Sequence, residues 1–333
     1  MTGDAEGRTV QGGAEPTPRS TAKVAVVGAG AVGATLAYAV LMRGAAREVV
    51  LYDVDTAKVR AQALDLAHGI QFVPMAHVVG TDDITACAGA DVVVVTAGAN
   101  QRPGQTRTDL AERTIGLMRT LVPQLLEVAP DAVYVMVTNP VDVVTYAALR
   151  FSGLPRARVI GSGTVLDSSR FRYLISQHVG VAVQNVHAYI VGEHGDTAVP
   201  LWSSATIGGV PLLDLDPLPG REPLTPAVRA SIAHDVVHSA YEIIEGKGAT
   251  SYAIGLAGSR IVEALTNDEH RVMPVSSLID DLDGIGDVCL SVPTVVAHDG
   301  AGAPMRVPMS TDELVALRRS ADALRETARP FGL

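Results

Sequence analysis

An α/β fold is predicted, with a doubly wound parallel sheet in the first half and a mixed α+β arrangement in the second. Three observations predict it. Apolar runs too continuous to alternate, such as VAVVG at residues 24–28 and DVVVVT at 91–96, are separated by helical patterns. Such runs suit strands buried on both faces of a parallel sheet. The strand–helix alternation stops near Gly161, and 333 residues are long for a single hydrophobic core.

Element by element, the strand at 24–28 leads into a helix over 32–43, then a strand at Glu48–Tyr52 and a helix at Thr56–His68. The strand at 91–96 ends in a Gly/Pro-punctuated stretch from 97 to 104, followed by a long helix over 109–128 and a strand over 132–138. Beyond Gly161 a helix over 166–178 precedes the strand-like VHAYIVG, and residues 208–226 have turn-rich composition. A helical stretch begins near Pro226, breaks at 246–248 and resumes to about Leu265. Strands at Arg271–Ile279 and 287–297 precede a last helix, whose start is marked by Ser310 with Glu313 three residues on, a capping box. The expected organisation is a disordered tail over 1–21, a first domain over 22–160 and a second over 161–333.

Hydrophobic residues make up 47% of the chain and charged ones 19%, a globular composition. The net charge of −10 argues against general binding to nucleic acid or anionic membranes. Cys87 and Cys289 are too few for a disulfide framework and lack metal-ligand spacing, so they are expected to be buried thiols with no metal site. The tail has no apolar h-region of a signal peptide. Residues 24–42 carry no charge over nineteen positions, long enough to span a bilayer, but Gly28, Gly30 and Gly33 interrupt them. A strand, a tight turn and a helix explain that stretch, so a cytoplasmic protein without a membrane span is expected.

Gly28-x-Gly30-x-x-Gly33 follows a strand and opens a helix, and Asp53 ends the next strand twenty residues after Gly33. Together these are the fingerprint of a Rossmann dinucleotide site. The glycines permit the turn and close approach of the pyrophosphate, the helix N-terminus favours the phosphates, and the carboxylate accepts from the ribose. A carboxylate there repels a 2′-phosphate, so NAD is expected in preference to NADP. His194, in GEHGDT, sits between Gly192 and Gly195 at a strand end, suited to face a cleft as a general acid/base. As a lone motif it reads more readily as a structural histidine. Asp167 and Arg170 in VLDSSRFR change that balance, because they lie three apart on one helix face. Asp167 can orient and charge the imidazole, and Arg170 offers a planar fork for a carboxylate. Arg172 points roughly 200° away around the helix and must serve something else. The loop bearing Gln101, Arg102 and Arg107, at the carboxyl end of the DVVVVT strand, reads as a lid or as an ordinary basic loop.

Seven ordered segments, VGAGAVGA, YDVD, TAGANQRPGQTRTDL, VTNPVDVVTY, GSGTVLDSSRFR, VHAYIVGEHGDT and EGKGATSYAI, resemble the lactate/malate dehydrogenase family, and within it the L-lactate branch. The resemblance runs from about Ala22 to the C-terminus. It implies an NAD-binding Rossmann domain, a mixed α+β catalytic domain and a homotetramer. It makes His194 the proton donor and acceptor, Asp167 its partner and Arg170 the carboxylate clamp. Arg107 becomes the loop arginine that polarises the substrate carbonyl. Asn139 lies near the reacting oxygen, and Thr250 shapes the side-chain pocket. The cofactor cradle it implies comprises Gly28, Gly30, Ala31, Val32, Gly33, Asp53, Thr96, Ala97, Gly98, Thr138 and Asn139.

In that family pattern the loop position six before the arginine holds Gln in lactate enzymes and Arg in malate enzymes; here it is Gln101. A neutral residue suits pyruvate, because the second carboxylate of oxaloacetate would go unpaired in a closed site. The alternatives are malate dehydrogenase, where Arg102 is the confounder, another L-2-hydroxy acid dehydrogenase, and a noncatalytic NAD-binding protein. Gln105 departs from the family, which usually has Glu there. The resemblance also implies activation by fructose 1,6-bisphosphate through Arg172 and His187 at a subunit interface.

Overall fold

The computed structural model describes residues 21–98 and 107–333; the expected tail, up to residue 20, and Gln101, Arg102 and Gln105 lie outside them. Strands β1 (Lys23–Val27), β2 (Glu48–Tyr52), β3 (His77–Thr81), β4 (Val92–Val95), β5 (Val133–Met136) and β6 (Val159–Gly161) pair in parallel in the order β3-β2-β1-β4-β5-β6. Helices α1 (Ala31–Arg43), α2 (Thr56–His68), α3 (Arg107–Val128) and α4 (Val141–Ser152) make the crossovers.

The strands are continuous in apolar character because both faces of the sheet are covered. Val24 and Val26 of β1 pack with Leu36 and Val40 of α1 on one face. Ala25 and Val27 pack with Met118 and Leu125 of α3 and Val144 of α4 on the other. Alternate side chains of one strand therefore enter two cores.

The second half contributes α5 (Val165–Val179), β7 (Val186–Val191), β8 (Val199–Ile207), β9 (Val210–Pro211), α6 (Pro226–Lys247), α7 (Tyr252–Thr266), β10 (Arg271–Ile279), β11 (Val288–Ala297), β12 (Gly300–Pro304) and α8 (Thr311–Ala328). β7, β8 and β9 form a small antiparallel sheet. β10, β11 and β12 extend the large sheet instead, β10 pairing antiparallel to β6 through Ser276 opposite Gly161. Helix α7 also returns to the first half, its Ile261 and Val262 joining the core beneath α1.

Helix boundaries follow local chemistry. Thr225 accepts from the Val228 N–H ahead of Pro226, and α6 stops at Gly248 with φ +85°. The capping box of α8 is present, with Ser310 accepting from the Glu313 N–H while Glu313 accepts from the Ser310 N–H. Glu313 also accepts from the N–H groups of Trp202 (2.7 Å) and Ser203 (3.0 Å), tying this helix start to β8. The uncharged nineteen-residue stretch is β1, a turn and α1, and among the described residues no helix is long and apolar enough to cross a membrane.

Candidate active site

Two sets of residues gather at the carboxyl ends of the parallel strands, where α/β sheets bind ligands. The first surrounds the glycine turn between β1 and α1. Gly28 has φ +103°, a left-handed conformation suited to glycine. A Cβ on Gly33 would collide with the Gly28 carbonyl oxygen and come within 2.7 Å of Thr96 Oγ1. Gly30 has open space around it, with no atom within 4 Å of such a Cβ. Gly30 also supplies no side-chain cap to α1, so the first-turn N–H groups at Ala31, Val32 and Gly33 keep the positive end of the helix.

Asp53, just past β2, reaches back to this turn. Its Oδ2 accepts from the Ala29 N–H at 2.7 Å and lies 3.0 Å from Lys58 Nζ, and its Oδ1 accepts from the Asp55 N–H at 3.0 Å. Partial burial opposes ionisation, but these donors outweigh it and hold the carboxyl below the ordinary range. Thr96 braces the turn through its hydroxyl, which donates to the carbonyls of Val27 and Gly28 at 3.1 and 3.0 Å. Ala97 and Gly98 follow it after β4, and Gly98 is packed so closely on Thr138 that a Cβ would strike the Thr138 hydroxyl. The open space at Gly30, the uncapped helix start and the ionised Asp53 fit a dinucleotide.

The second set lines a cleft of about 270 Å³. Asp167 and Arg170 enter it from α5, His194 from the loop joining β7 to β8, Asn139 from the end of β5, and Val236 and Ile244 from α6. His194 Nδ1 lies 2.5 Å from Asp167 Oδ2. Arg170 Nη1 donates to Asp167 Oδ1 at 3.1 Å and to the Val236 carbonyl at 2.7 Å. The His194 side chain keeps 28% exposure, whereas Asp167 keeps 8%.

The charge of Asp167 raises the His194 imidazole to about 9, against the opposing effect of burial. The Asp167 hydrogen bond and the Asp142 charge add to that rise, and Arg170 works against it. Burial disfavours the Asp167 carboxylate, but the charge and hydrogen bond of His194, with Arg170, hold it below the ordinary carboxylate range. The site therefore pairs a proton-loaded imidazole with an anchored guanidinium. Such an arrangement can bind a small carboxylate and protonate an oxygen beside it.

The remaining expected residues divide. Arg107 is the first residue of α3, and Leu110, one turn on, lines the cleft. Thr250 lies between α6 and α7 and does not line the cleft. Arg172 is turned away from the cleft, as the helical angle required. Its Nε donates to the Ala188 carbonyl at 2.8 Å, and its guanidinium lies over the Tyr189 ring at 4.9 Å. His187 is exposed on β7, two residues from Tyr189 and on the same strand face. Sequence reasoning missed Asp142, a wall of the same cleft whose Oδ2 accepts from the His194 N–H at 2.8 Å. Its signal was a lone carboxylate inside the apolar run VDVVTY. Among the described residues no cluster of three or more His, Cys, Asp or Glu is arranged for a metal ion, and Cys87 and Cys289 are buried free thiols.

Two family descriptions match successive parts of the chain. "Lactate/malate dehydrogenase, NAD binding domain" covers residues 22–161, and "lactate/malate dehydrogenase, alpha/beta C-terminal domain" covers residues 164–330. The chain belongs to the lactate/malate dehydrogenase family. Its glycine turn, Asp53 and the ends of β4 and β5 thus lie in the NAD-binding domain of that family. An L-lactate dehydrogenase from Bifidobacterium animalis subsp. lactis is 54% identical over 316 residues, 95% of this chain and 99% of the relative. One from Gloeobacter violaceus is 47% identical over 305 residues, 92% of each chain. A ligand-bound crystal structure of the minor L-lactate dehydrogenase of Enterococcus mundtii superposes with a TM-score of 0.89 at 37% identity, covering 93% of this chain and 98% of that one.

Proposed function

We propose that this chain is an NAD-dependent L-lactate dehydrogenase that interconverts pyruvate and L-lactate. The observation that carries the reading is the contact of His194 Nδ1 with the buried Asp167 at 2.5 Å, beside Arg170 in one cleft. We propose residues 22–160 as the cofactor half and 161–333 as the substrate half. NAD supplies the hydride acceptor for lactate oxidation and, when reduced, the donor for pyruvate reduction. Gly28, Gly30, Gly33, Asp53, Thr96, Gly98 and Thr138 would hold it, with the N–H groups that open α1 toward its phosphates.

The remaining steps belong to the side chains. Arg170, its plane fixed by Asp167 and Val236, binds the substrate carboxylate through the rest of its fork. Protonated His194 gives its proton to the carbonyl oxygen in reduction and takes it back from the hydroxyl in oxidation. Asp167 keeps the ring in one orientation and stabilises its charged form. Arg107 polarises the carbonyl, Asn139 hydrogen-bonds the reacting oxygen, and the neutral Gln101 leaves room for a methyl group and no charge, while Thr250 stays outside the cleft walls. Pyruvate and oxaloacetate compared by kcat/KM test the reading. Pyruvate is expected to lead by at least about 100-fold, on the scale of an unpaired buried charge; a lead for oxaloacetate makes the protein a malate enzyme.

The proposal extends to a homotetramer responsive to fructose 1,6-bisphosphate. Exposed apolar side chains on neighbouring elements, among them Tyr38 and Met42 of α1, Leu64 of α2, Phe72, and Tyr252 and Leu256 of α7, support burial between subunits. Arg172 lines a hollow of about 350 Å³ with Arg43, Arg260 and Arg271, which supports an anionic effector.

A further inference from the structure

We infer that Asp142 is a positioning residue for the acid/base histidine, its carboxylate holding the His194 main chain while Asp167 holds the ring. The inference rests on the assignment of His194 as the proton carrier.

Asp142 lies in the first turn of α4, within nine consecutive buried residues, and is itself 3% exposed. A carboxylate so deep costs several kcal/mol unless it is hydrogen-bonded or faces a counter-charge. Its Oδ2 accepts from the N–H of His194, 52 residues away, and the His194 imidazole is its counter-charge, while its Oδ1 and the nearby Ser276 hydroxyl of β10 close no hydrogen bond among the described residues.

The need for such a clamp follows from the loop. Gly192, at φ +88°, and Gly195 flank the two residues that carry the histidine, so the chain there has little stiffness of its own. Three consecutive N–H groups are tied instead to three different elements. Gly192 donates to the Ser291 carbonyl of β11 at 2.8 Å, and Glu193 donates to Ser320 Oγ of α8 at 2.7 Å. His194 donates to Asp142 of α4 at 2.8 Å, the one charged acceptor of the three. A fault at this last tie would be felt directly at the imidazole.

The same carboxylate acts on the ring through space. His194 is faced by Asp167 and Arg170 from α5 and by Asp142 from α4; Glu193 of the same loop, Cys289 of β11 and Ser276 of β10 adjoin Asp142. Burial raises the Asp142 carboxyl to about 6, against the pull of Ser276 and His194, so it is anionic above neutrality and favours the imidazolium. Asp142 also borders a second cavity of about 260 Å³ behind the cleft, lined by Tyr146, Cys289 and Leu324. Truncating it would join the two spaces behind the histidine.

Two variants separate charge from placement. Asp142→Asn keeps an acceptor for the His194 N–H but removes the charge; Asp142→Ala removes both. The pH dependence of diethylpyrocarbonate labelling at His194, read by peptide mass spectrometry, needs no turnover. Asp142→Asn is expected to lower its midpoint by about half a unit or more, with Asp167→Asn as the positive control. At the pH plateau, Asp142→Ala is expected to lose about tenfold or more in kcat for pyruvate reduction, and Asp142→Asn distinctly less. The assignment falls if the Asp142→Asn labelling curve overlays wild type while that of Asp167→Asn moves. It falls equally if Asp142→Ala keeps wild-type kcat and loses only thermal stability. A wild-type enzyme inactive on pyruvate would instead overturn the proposed function, and the labelling curves would still decide the role of Asp142.

Discussion

The imidazole of His194 is about a quarter open to the cleft, yet its Nδ1 lies 2.5 Å from a carboxylate that is nearly closed off. Its protonation is therefore set by Asp167 more than by solvent. Pyruvate reduction needs the imidazolium, so kcat/KM is expected to fall as pH rises through about 9, whereas lactate oxidation gains over the same range. Asp167→Asn removes the largest cause of the rise. The alkaline limb for reduction is expected to move down toward the ordinary histidine value of 6.5, with about 30-fold lower kcat/KM at pH 8. Stability carries the same signature. A group whose value is raised on folding contributes fully below its unfolded value and loses that contribution as pH climbs through its folded one. Wild-type protein is thus expected to lose thermal stability between pH 7 and 10, and Asp167→Asn to lose less. An unchanged pH–rate profile in the variant would refute the pairing.

Among the elements, the β1–α1 turn carries the sharpest contrast between packing and binding. Alanine at Gly33 must displace the Gly28 carbonyl and Thr96, so Gly33→Ala is expected to cost about 1–3 kcal/mol of stability as well as cofactor affinity. Alanine at Gly30 meets nothing in the protein, so Gly30→Ala is expected to keep the wild-type melting temperature while the KM for NADH rises several-fold. Melting curves and NADH titrations of the two variants check this; equal melting losses would mean that Gly30 serves packing alone. This turn was legible in the sequence because three glycines, a valine run and Asp53 all describe one local structure. Helix α4 was not, because nine of its twelve residues are buried and its β-branched start, VDVVT, suits a strand as well. Strand β8 was hidden by Pro200 and the serines of VPLWSSATI, and β3 by its opening histidine and its glycine in HVVGT. At the site, Asp167 and Arg170 were legible because their contact is local to one helix. Asp142 was not, because its tie to His194 spans 52 residues and depends on how the loop after β7 is laid against the start of α4.

At the scale of the molecule, the halves share one sheet through β6 and β10, so α5, which carries Asp167 and Arg170 into the cleft, is based on that shared sheet. The same helix carries Arg172 on another side, turned away from the cleft. The chain has a net charge of −10, but Arg43, Arg172, Arg260 and Arg271 gather around one hollow, with Glu263 and Glu269 pairing to three of them. Arg172 is held by the Ala188 carbonyl and the Tyr189 ring, beside the exposed His187. In the proposed assembly two copies of this face would meet on a two-fold axis, where their like charges would repel and a bisphosphate between them would relieve that repulsion. Pyruvate titrations with fructose 1,6-bisphosphate are therefore expected to reach half-saturation at about fivefold lower concentration or less, with sedimentation shifted to the larger species. Arg172→Gln is expected to abolish the response to the bisphosphate and, by removing part of the repulsion, to leave the effector-free half-saturation no higher than in wild type. Superimposable wild-type curves with and without the bisphosphate would remove the effector from this face and leave its arginines to subunit packing alone.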